Sequence, residues 1–335
     1  MNPYSLLRPL LFSVDPETAH DLTLKTLSAA QGAVNALHPK IPDKPVQVMG
    51  LTFKNPVGLA AGLDKNGDCL DGFAALGFGF LEIGTLTPRP QDGNPKPRLF
   101  RLVEHEAIIN RMGFNNKGID YFLQQATRSH YAGILGVNIG KNANTPIENA
   151  LEDYLICLRK AYGVASYITV NISSPNTKNL RQLQQGDDLR HLMSALKEEQ
   201  LKLNIEHGRY VPLVLKIAPD LTPSEVTHIA TLLLEFNIDG VIASNTTISR
   251  PGVGQHLHAH EMGGLSGAPL KEMSTQIVRL LAQELNSHIP IIAVGGILSA
   301  SDAAEKFEAG ASLVQLYTGL IYRGATLISD IVNSR

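Results

Sequence analysis

The feature that most restricts this chain is a rhythm. From residue 57 onward, short apolar runs recur at Val57–Ala60, Phe80–Ile83, Ile134–Val137, Tyr167–Val170, Leu213–Leu215, Gly240–Ala243, Ile291–Val294 and Leu313–Leu316. Helical or loop segments separate them. Apolar runs of this kind mark parallel strands covered by helices. Eight is the number that closes a (β/α)8 barrel, so the expected fold is α/β, a TIM barrel. Helix signals fall between the runs. Thr145-Pro146 opens a helix to about Tyr162, and Thr222-Pro223 opens another, with Glu225 completing a capping box. Ser299 to Phe307 is a third, closed by Gly310, and a long C-terminal helix is expected over about Leu320–Val332.

What stands at the strand ends is more informative. In order come Ala61-Gly62 with Lys65, then Thr85, Asn138, Asn171, Lys216, Asn245, Gly295-Gly296 and Tyr317-Thr318. Each is small or polar, and barrel active sites are built at this C-terminal face. The densest stretch is Asn171-Ile172-Ser173-Ser174-Pro175-Asn176. Taken alone it fits a turn as well as a site; the run of polar strand ends favours a site. The segment between the second and third runs, residues 86–132, is much longer than a normal loop and holds Asn110-Arg111-Met112-Gly113-Phe114-Asn115-Asn116. Long loops on barrels usually serve the site.

The residue types suggest chemistry. Gly263-Gly264-Leu265-Ser266-Gly267, Gly295-Gly296 and Tyr317-Thr318 follow the sixth, seventh and eighth runs. Glycines let backbone N–H groups approach phosphate oxygens, and loops after strands seven and eight commonly hold phosphate in such barrels. No Walker-type or early dinucleotide glycine motif is present, so a mononucleotide or sugar phosphate fits better. Asn110, Asn171, Asn176 and Asn245 offer amide edges suited to a neutral heterocycle with N–H and C=O groups. Lys65 and Lys216 are each placed to meet an anion or to form a salt bridge. Ser174 has no evident His-Asp partner. It can serve as a base only if its proton is relayed and the charge developing on the substrate is stabilised. No metal site is expected, because His256, His258 and His260 fall in a Gly-flanked loop away from the strand ends.

Composition excludes other classes. Lys+Arg is 29 against Asp+Glu 31, a net charge of -2, so no basic field argues for nucleic acid. The only two cysteines, Cys69 and Cys157, give no disulfide framework and point to a reducing compartment. The charged fraction, 18%, is low and suggests membrane proximity or extensive burial. Leu6, Leu7, Leu10, Leu11 and Phe12 have helical spacing, and Asp15-Pro16 reads as an N-cap and first turn of a second helix to about Ala30, ending near Gly32. Neither helix is long or apolar enough to span a bilayer, and no secretory signal is expected. Pattern alone leaves open whether they cap the core or meet a membrane or a hydrophobic ligand. The domain reading is therefore 1–35 helical, 36–45 a proline-bearing linker, and 46–335 the barrel, starting with a short hairpin around Gly50.

The chain closely resembles the class 2, membrane-associated dihydroorotate dehydrogenases, especially the bacterial form. The resemblance rests on Gly58-Leu59-Ala60-Ala61-Gly62-Leu63-Asp64-Lys65-Asn66-Gly67, Ile109–Asn116, Asn171–Thr177, Ser244-Asn245-Thr246-Thr247, Gly263–Gly267 and Val294-Gly295-Gly296-Ile297. It implies FMN as cofactor, held by Ala61, Gly62, Leu63, Asp64, Lys65, Thr85, Asn138, Asn171, Lys216, Ser244, Gly267, Gly296, Tyr317 and Thr318. Family members more often carry threonine where this chain has Ser244. The resemblance also implies dihydroorotate, oxidised to orotate in pyrimidine biosynthesis and bound by Lys65, Asn110, Arg111, Met112, Gly113, Phe114, Asn171, Asn176, Asn245 and Thr246. Ser174 would take the C5 proton while hydride leaves C6. Class 1 relatives carry cysteine at that position. Ubiquinone or menaquinone would be the final acceptor, with His20 and Arg101 near its site. The N-terminal helices would rest on the cytoplasmic face of the bacterial inner membrane as a peripheral contact of a monomer. The alternatives are another FMN-dependent barrel oxidoreductase and a non-catalytic barrel binding a phosphorylated metabolite.

Overall fold

The computed structural model describes residues 3–29 and 41–335. Eight parallel strands close into a barrel in chain order: Val57–Leu59, Phe80–Leu86, Ile134–Ile139, Tyr167–Asn171, Leu213–Ile217, Gly240–Ala243, Ile291–Val294 and Leu313–Leu316. We call these barrel strands one to eight. Strand eight pairs with strand one through Val314 and Val57, which completes the closure. Four strands run further than the apolar runs alone suggest. Thr85, Asn138, Asn171 and Lys216 are therefore strand residues rather than loop residues.

The lower end of the barrel is plugged by rings. The hairpin Val46–Val48 and Leu51–Phe53 packs beneath it, and Phe53 meets Phe80 edge-on at 5.0 Å. Gly58 and Gly136 stand where a Cβ would collide with the rings of Phe80 and Tyr167. Large side chains from one strand thus fill the space left by glycine on its neighbour, the interlocking that a closed barrel needs.

The helices follow their signals. Thr222 and Glu225 form the reciprocal capping box, and Ser299 Oγ accepts from the Asp302 N–H at 3.1 Å. Two readings need correction. The segment after Thr145-Pro146 starts with a 3-10 turn, Ile147–Asn149, before the helix Ala150–Ala161. The C-terminal helix is two, Thr318–Arg323 and Thr326–Asn333, broken at Gly324. That glycine has φ +75° and packs against the ring of Tyr4, so neither helical continuation nor a side chain fits.

The long insertion is not a loose loop. Strand Ala107–Asn110 pairs with Leu99–Leu102 on one side and Gly264–Gly267 on the other, in an antiparallel sheet that leans over the barrel mouth. The glycine-rich segment after strand six is therefore itself a strand. Two N-terminal helices, Pro3–Ser13 and Pro16–Ala29, lie against this sheet and the C-terminal helices. Asp15 caps the second by accepting from the Thr18 N–H at 2.9 Å. Phe12 meets Tyr322 edge-on at 5.2 Å, and the Tyr322 hydroxyl donates to the Ala107 carbonyl at 2.9 Å. The expected end of the second helix at Ala30–Gly32 and the linker residues 36–40 lie outside the described residues.

Phe80→Ala empties the plug and should lower stability by about 3–5 kcal/mol. Urea denaturation followed by far-UV circular dichroism measures it. A loss below about 1 kcal/mol would show that the rings are not a rigid plug.

Candidate active site

The barrel interior changes character one layer above the rings. The Glu82 carboxylate on strand two accepts from Asn138 Nδ2 at 2.8 Å, the Tyr167 hydroxyl at 2.9 Å, Thr169 Oγ1 at 3.2 Å and Gln315 Nε2 at 2.7 Å. Asn138 then accepts from Thr85 Oγ1 at 2.6 Å and from Asn171 Nδ2 at 3.3 Å. Asn171 Oδ1 accepts from Ser173 Oγ at 2.9 Å, and Ser173 Oγ accepts from Asn245 Nδ2, also at 2.9 Å. One chain of hydrogen bonds thus runs through strands two, three and four to the end of strand six. Such a chain fixes each amide's orientation, because every flip would leave a buried group unpaired.

Above this floor opens a cavity of about 1000 Å³, its mouth included. It is lined by Ala61, Gly62, Lys65, Thr85, Asn110, Met112, Gly113, Phe114, Asn171, Ser174, Asn176, Lys216, Ser244, Asn245, Thr246, Gly267, Gly296, Tyr317 and Thr318. These are the expected residues, gathered from every side of the barrel. Ser174 is buried beside the cavity and accepts from the Asn176 N–H at 3.2 Å. Asn176 Nδ2 reaches across to Asn110, bonding its carbonyl at 3.1 Å and its Oδ1 at 3.3 Å. Strand four's loop and the inserted sheet are thereby tied over the site.

The glycines stand where backbone must come close. A Cβ on Gly296 would strike the Lys271 backbone at the start of helix Lys271–Leu285, and one on Gly267 would strike Glu106 and Ala107. Both have positive φ, +72° and +97°. A helix N-terminus against a glycine turn suits an anion. Lys216 is buried in the cavity wall with no hydrogen-bond partner among the described residues. Burial pushes its ammonium down, and only the Glu82 charge opposes the fall. Gln315 Oε1, also in the wall, is a buried acceptor without a partner. A bound group that brings an anion, N–H donors and carbonyl acceptors would satisfy all three features, and FMN has that donor set.

Not every expected residue reaches the cavity. Asp64 lies beneath it, where its carboxylate accepts from the N–H groups of Asn66, Gly67, Asp68 and Cys69 at 2.8–3.1 Å. It shapes the loop that presents Lys65. Leu63 packs in the core, and Asn138 acts through Thr85 and Asn171. Arg111 turns outward to Glu261 at 2.6 Å and stacks on Phe100, leaving its backbone at the site. Conversely, the inward-facing Gln315 and Ser266 were not anticipated. Ser266 accepts from Thr318 Oγ1 at 2.9 Å. A single glutamine inside the apolar run of strand eight was the available signal.

A second cavity lies between the second N-terminal helix and the loop after strand one. It is lined by Glu17, His20, Asp21, Leu24 and Lys25 and shares Lys65 and Met112 with the first. Glu17 is buried against Arg98 at 2.8 Å, with Lys96 at 3.3 Å. Burial disfavours its charge, but the two cations outweigh that and hold its carboxyl below the usual range. Burial pushes the Lys65 ammonium down to about 8 against the pull of Glu17, with Arg98 adding to the fall. Burial also holds His20 down at about 3, helped by Lys65, so its imidazole is neutral. Arg101 is elsewhere, stacked at 4.8 Å on Phe12 and donating to the Leu11 carbonyl at 3.3 Å. The loop histidines lie apart from the cavity, where His256 faces Glu104 at 3.4 Å.

Comparison with known proteins agrees with this geometry. The family model described as dihydroorotate dehydrogenase matches residues 45–334. A protein of Chromobacterium violaceum named dihydroorotate dehydrogenase (quinone) is 63% identical over 333 residues, covering 98% of this chain and 96% of its own. Its namesake in Nitrosomonas europaea is 60% identical over 330 residues, with the same coverage. Among solved structures, DHODH from Eimeria tenella in complex with ferulenol matches with a TM-score of 0.87 and 42% identity, over 95% of this chain and 90% of that one. The ligand-free form from the same organism gives 0.86. The chain belongs to the dihydroorotate dehydrogenase family, in its quinone-dependent class 2.

Proposed function

We propose that this protein oxidises dihydroorotate to orotate, with Ser174 as the base, and passes the electrons to a membrane quinone. The observation that carries the reading is a single one: Ser174, Lys65, four asparagines and the Gly267 and Gly296 cradle all line one cavity at the C-terminal end of the barrel. FMN, when bound, supplies the acceptor for the hydride leaving C6 and the link to the quinone. Gly267, Gly296, Tyr317 and Thr318 would hold its phosphate end, while Thr85, Asn171, Lys216 and Ser244 would hold the ring end.

The remaining work falls to the chain's own groups. Lys65 binds the substrate carboxylate from the cavity's outer side. Asn110, Asn171, Asn176 and Asn245 present donors and acceptors to the pyrimidine edges, held in place by their mutual bonds, and Thr246 joins them. The backbone from Arg111 to Phe114 closes the mouth. Ser174 removes the C5 proton as its own hydroxyl proton is relayed to water. The Asn176 N–H, already directed at Ser174 Oγ, stabilises the oxygen as charge develops there. Pre-set donors of this kind need no rearrangement during the reaction.

Residues 1–35 form the quinone and membrane segment, and 46–335 the catalytic barrel. Leu6 and Leu10 are 74% and 69% exposed, and Leu7, Val14 and Leu22 are exposed beside them. So much apolar surface on two adjoining helices fits an interface with lipid. Among the described residues no helix is long and apolar enough to cross a membrane. The contact proposed here is a peripheral one, on the cytoplasmic face. The quinone, ubiquinone or menaquinone, enters between these helices and the barrel through the cavity that His20 lines, while Arg101 ties the first helix to the inserted sheet.

Ser174→Ala should keep FMN bound and slow its reduction by dihydroorotate roughly 10²–10⁴-fold, the span of a lost general base. Rapid mixing with dihydroorotate, read as bleaching of bound flavin, measures this. An unchanged rate would remove Ser174 from the base role. Orotate affinity should fall as pH rises through about 8, where Lys65 loses its proton. Lys65→Ala should weaken binding roughly 10- to 100-fold and abolish that step. A pH-independent titration in the parent protein would contradict the assignment of Lys65. Removing residues 1–35 should spare flavin reduction but impair oxidation by quinone and attachment to vesicles. Full quinone turnover by the shortened chain would count against the segment's role.

A further inference from the structure

Behind the glycine cradle lies a buried cation that the chemistry above does not use. Lys306, on the helix Ala300–Glu308, is fully buried. Its ammonium donates to the Lys271 carbonyl at 2.9 Å, Ser274 Oγ at 2.5 Å and Thr275 Oγ1 at 2.6 Å. All three acceptors belong to the first turn and a half of helix Lys271–Leu285. Ser274 Oγ in turn donates to the Gly295 carbonyl at 2.9 Å. Gly295 and Gly296 line the cavity, and Gly296 rests directly on the Lys271 backbone. Nearby, Lys271 Nζ pairs with Asp302 at 3.1 Å and Glu305 at 2.9 Å, while Asp302 accepts from the Leu298 N–H at 3.0 Å.

Two features set this lysine apart from packing. A buried charge costs several kcal/mol even when its hydrogen bonds are complete. An apolar residue of the same length would fill the space without that cost. Burial pushes the Lys306 ammonium down to about 7, and the charged form also stands at the positive end of a helix, where it needs an anion to offset both. The cavity side of that helix end is the glycine turn.

We propose that Lys306 is a positioning residue for the phosphate of FMN. It clamps the first turn of helix Lys271–Leu285 to the Gly295-Gly296 turn and adds its charge to the helix end that faces the anion. This rests on the flavin reading of the cavity given above. It extends that reading to a residue outside the cavity wall.

The test separates the phosphate from the rest of the flavin. The full chain, stripped of flavin, is titrated with FMN and with riboflavin, which lacks the phosphate, and binding is followed by flavin fluorescence. The parent protein should prefer FMN. In Lys306→Met, FMN affinity should fall about tenfold or more while riboflavin affinity stays within about twofold. Ser274→Ala removes the link to Gly295 and one of the three Lys306 acceptors, leaving the Lys271 carbonyl and Thr275 Oγ1, and should show a smaller loss with the same selectivity. It decides the matter if Lys306→Met fails to fold. Equal weakening of both ligands, or no weakening of either, would overturn the role of Lys306 and leave the flavin site standing. A parent protein that binds neither ligand, or binds both equally, would overturn the phosphate reading itself.

Discussion

The carboxylate of Glu82, buried at the centre of the barrel, is the interaction on which the rest of the site depends. Below it the interior is filled by Phe53, Phe80 and Tyr167. Above it the interior is polar. Donors from Asn138, Tyr167, Thr169 and Gln315 converge on it from three strands. The Tyr167 side chain joins the two regions, since its ring is part of the plug and its hydroxyl is a ligand of Glu82. Two of these donors also face groups higher up. Asn138 sets Thr85 and Asn171, and Gln315 leaves its Oε1 facing the cavity wall. The Lys216 ammonium, without a hydrogen-bond partner among the described residues, is drawn by the Glu82 charge. A buried carboxylate is tolerable only when its oxygens are fully supplied with donors. Meeting that demand is what orders the floor of the pocket.

A second constraint links the helical segment to the substrate end. Glu17 stands on the second N-terminal helix, yet its carboxylate is buried against Arg98 at the edge of the inserted sheet. The same Arg98 fixes the loop below Gly93 through the Asp92 and Asn94 carbonyls, at 2.6 and 2.8 Å. Asn94 then bonds the Arg111 carbonyl at 2.9 Å, next to Met112 and Gly113 in the cavity wall. Lys65 feels Glu17 and Arg98 together. The second N-terminal helix is thus joined by charge and hydrogen bonds to the segment that lines the cavity. It is not an appendage on a finished barrel.

How much of this was legible depended on the range of the interaction. The eight apolar runs, the capping box at Thr222 and the N-cap at Asp15 are local, and each appeared where the pattern placed it. The break at Gly324 was not legible, because it is set by Tyr4 at the other end of the chain. The strand Gly264–Gly267 was likewise hidden. Its composition reads as a turn, and only pairing with Ala107–Asn110 makes it a strand. Asp64 and Arg111 stand within motif segments, but their side chains serve the loops rather than the cavity. Motif membership does not tell which way a side chain points.

The sequence by itself determined the barrel, because an alternation of buried strands and covering helices has few ways to close. It also determined the kinds of groups at the strand ends, since those are residue identities at local positions. Only the tertiary structure decided which of them meet. The Glu82 network, the Asn176–Asn110 tie, the Arg98–Glu17 pair and the Lys306 clamp all join residues more than 30 positions apart. Such contacts depend on how the elements are stacked, and no local periodicity carries that information.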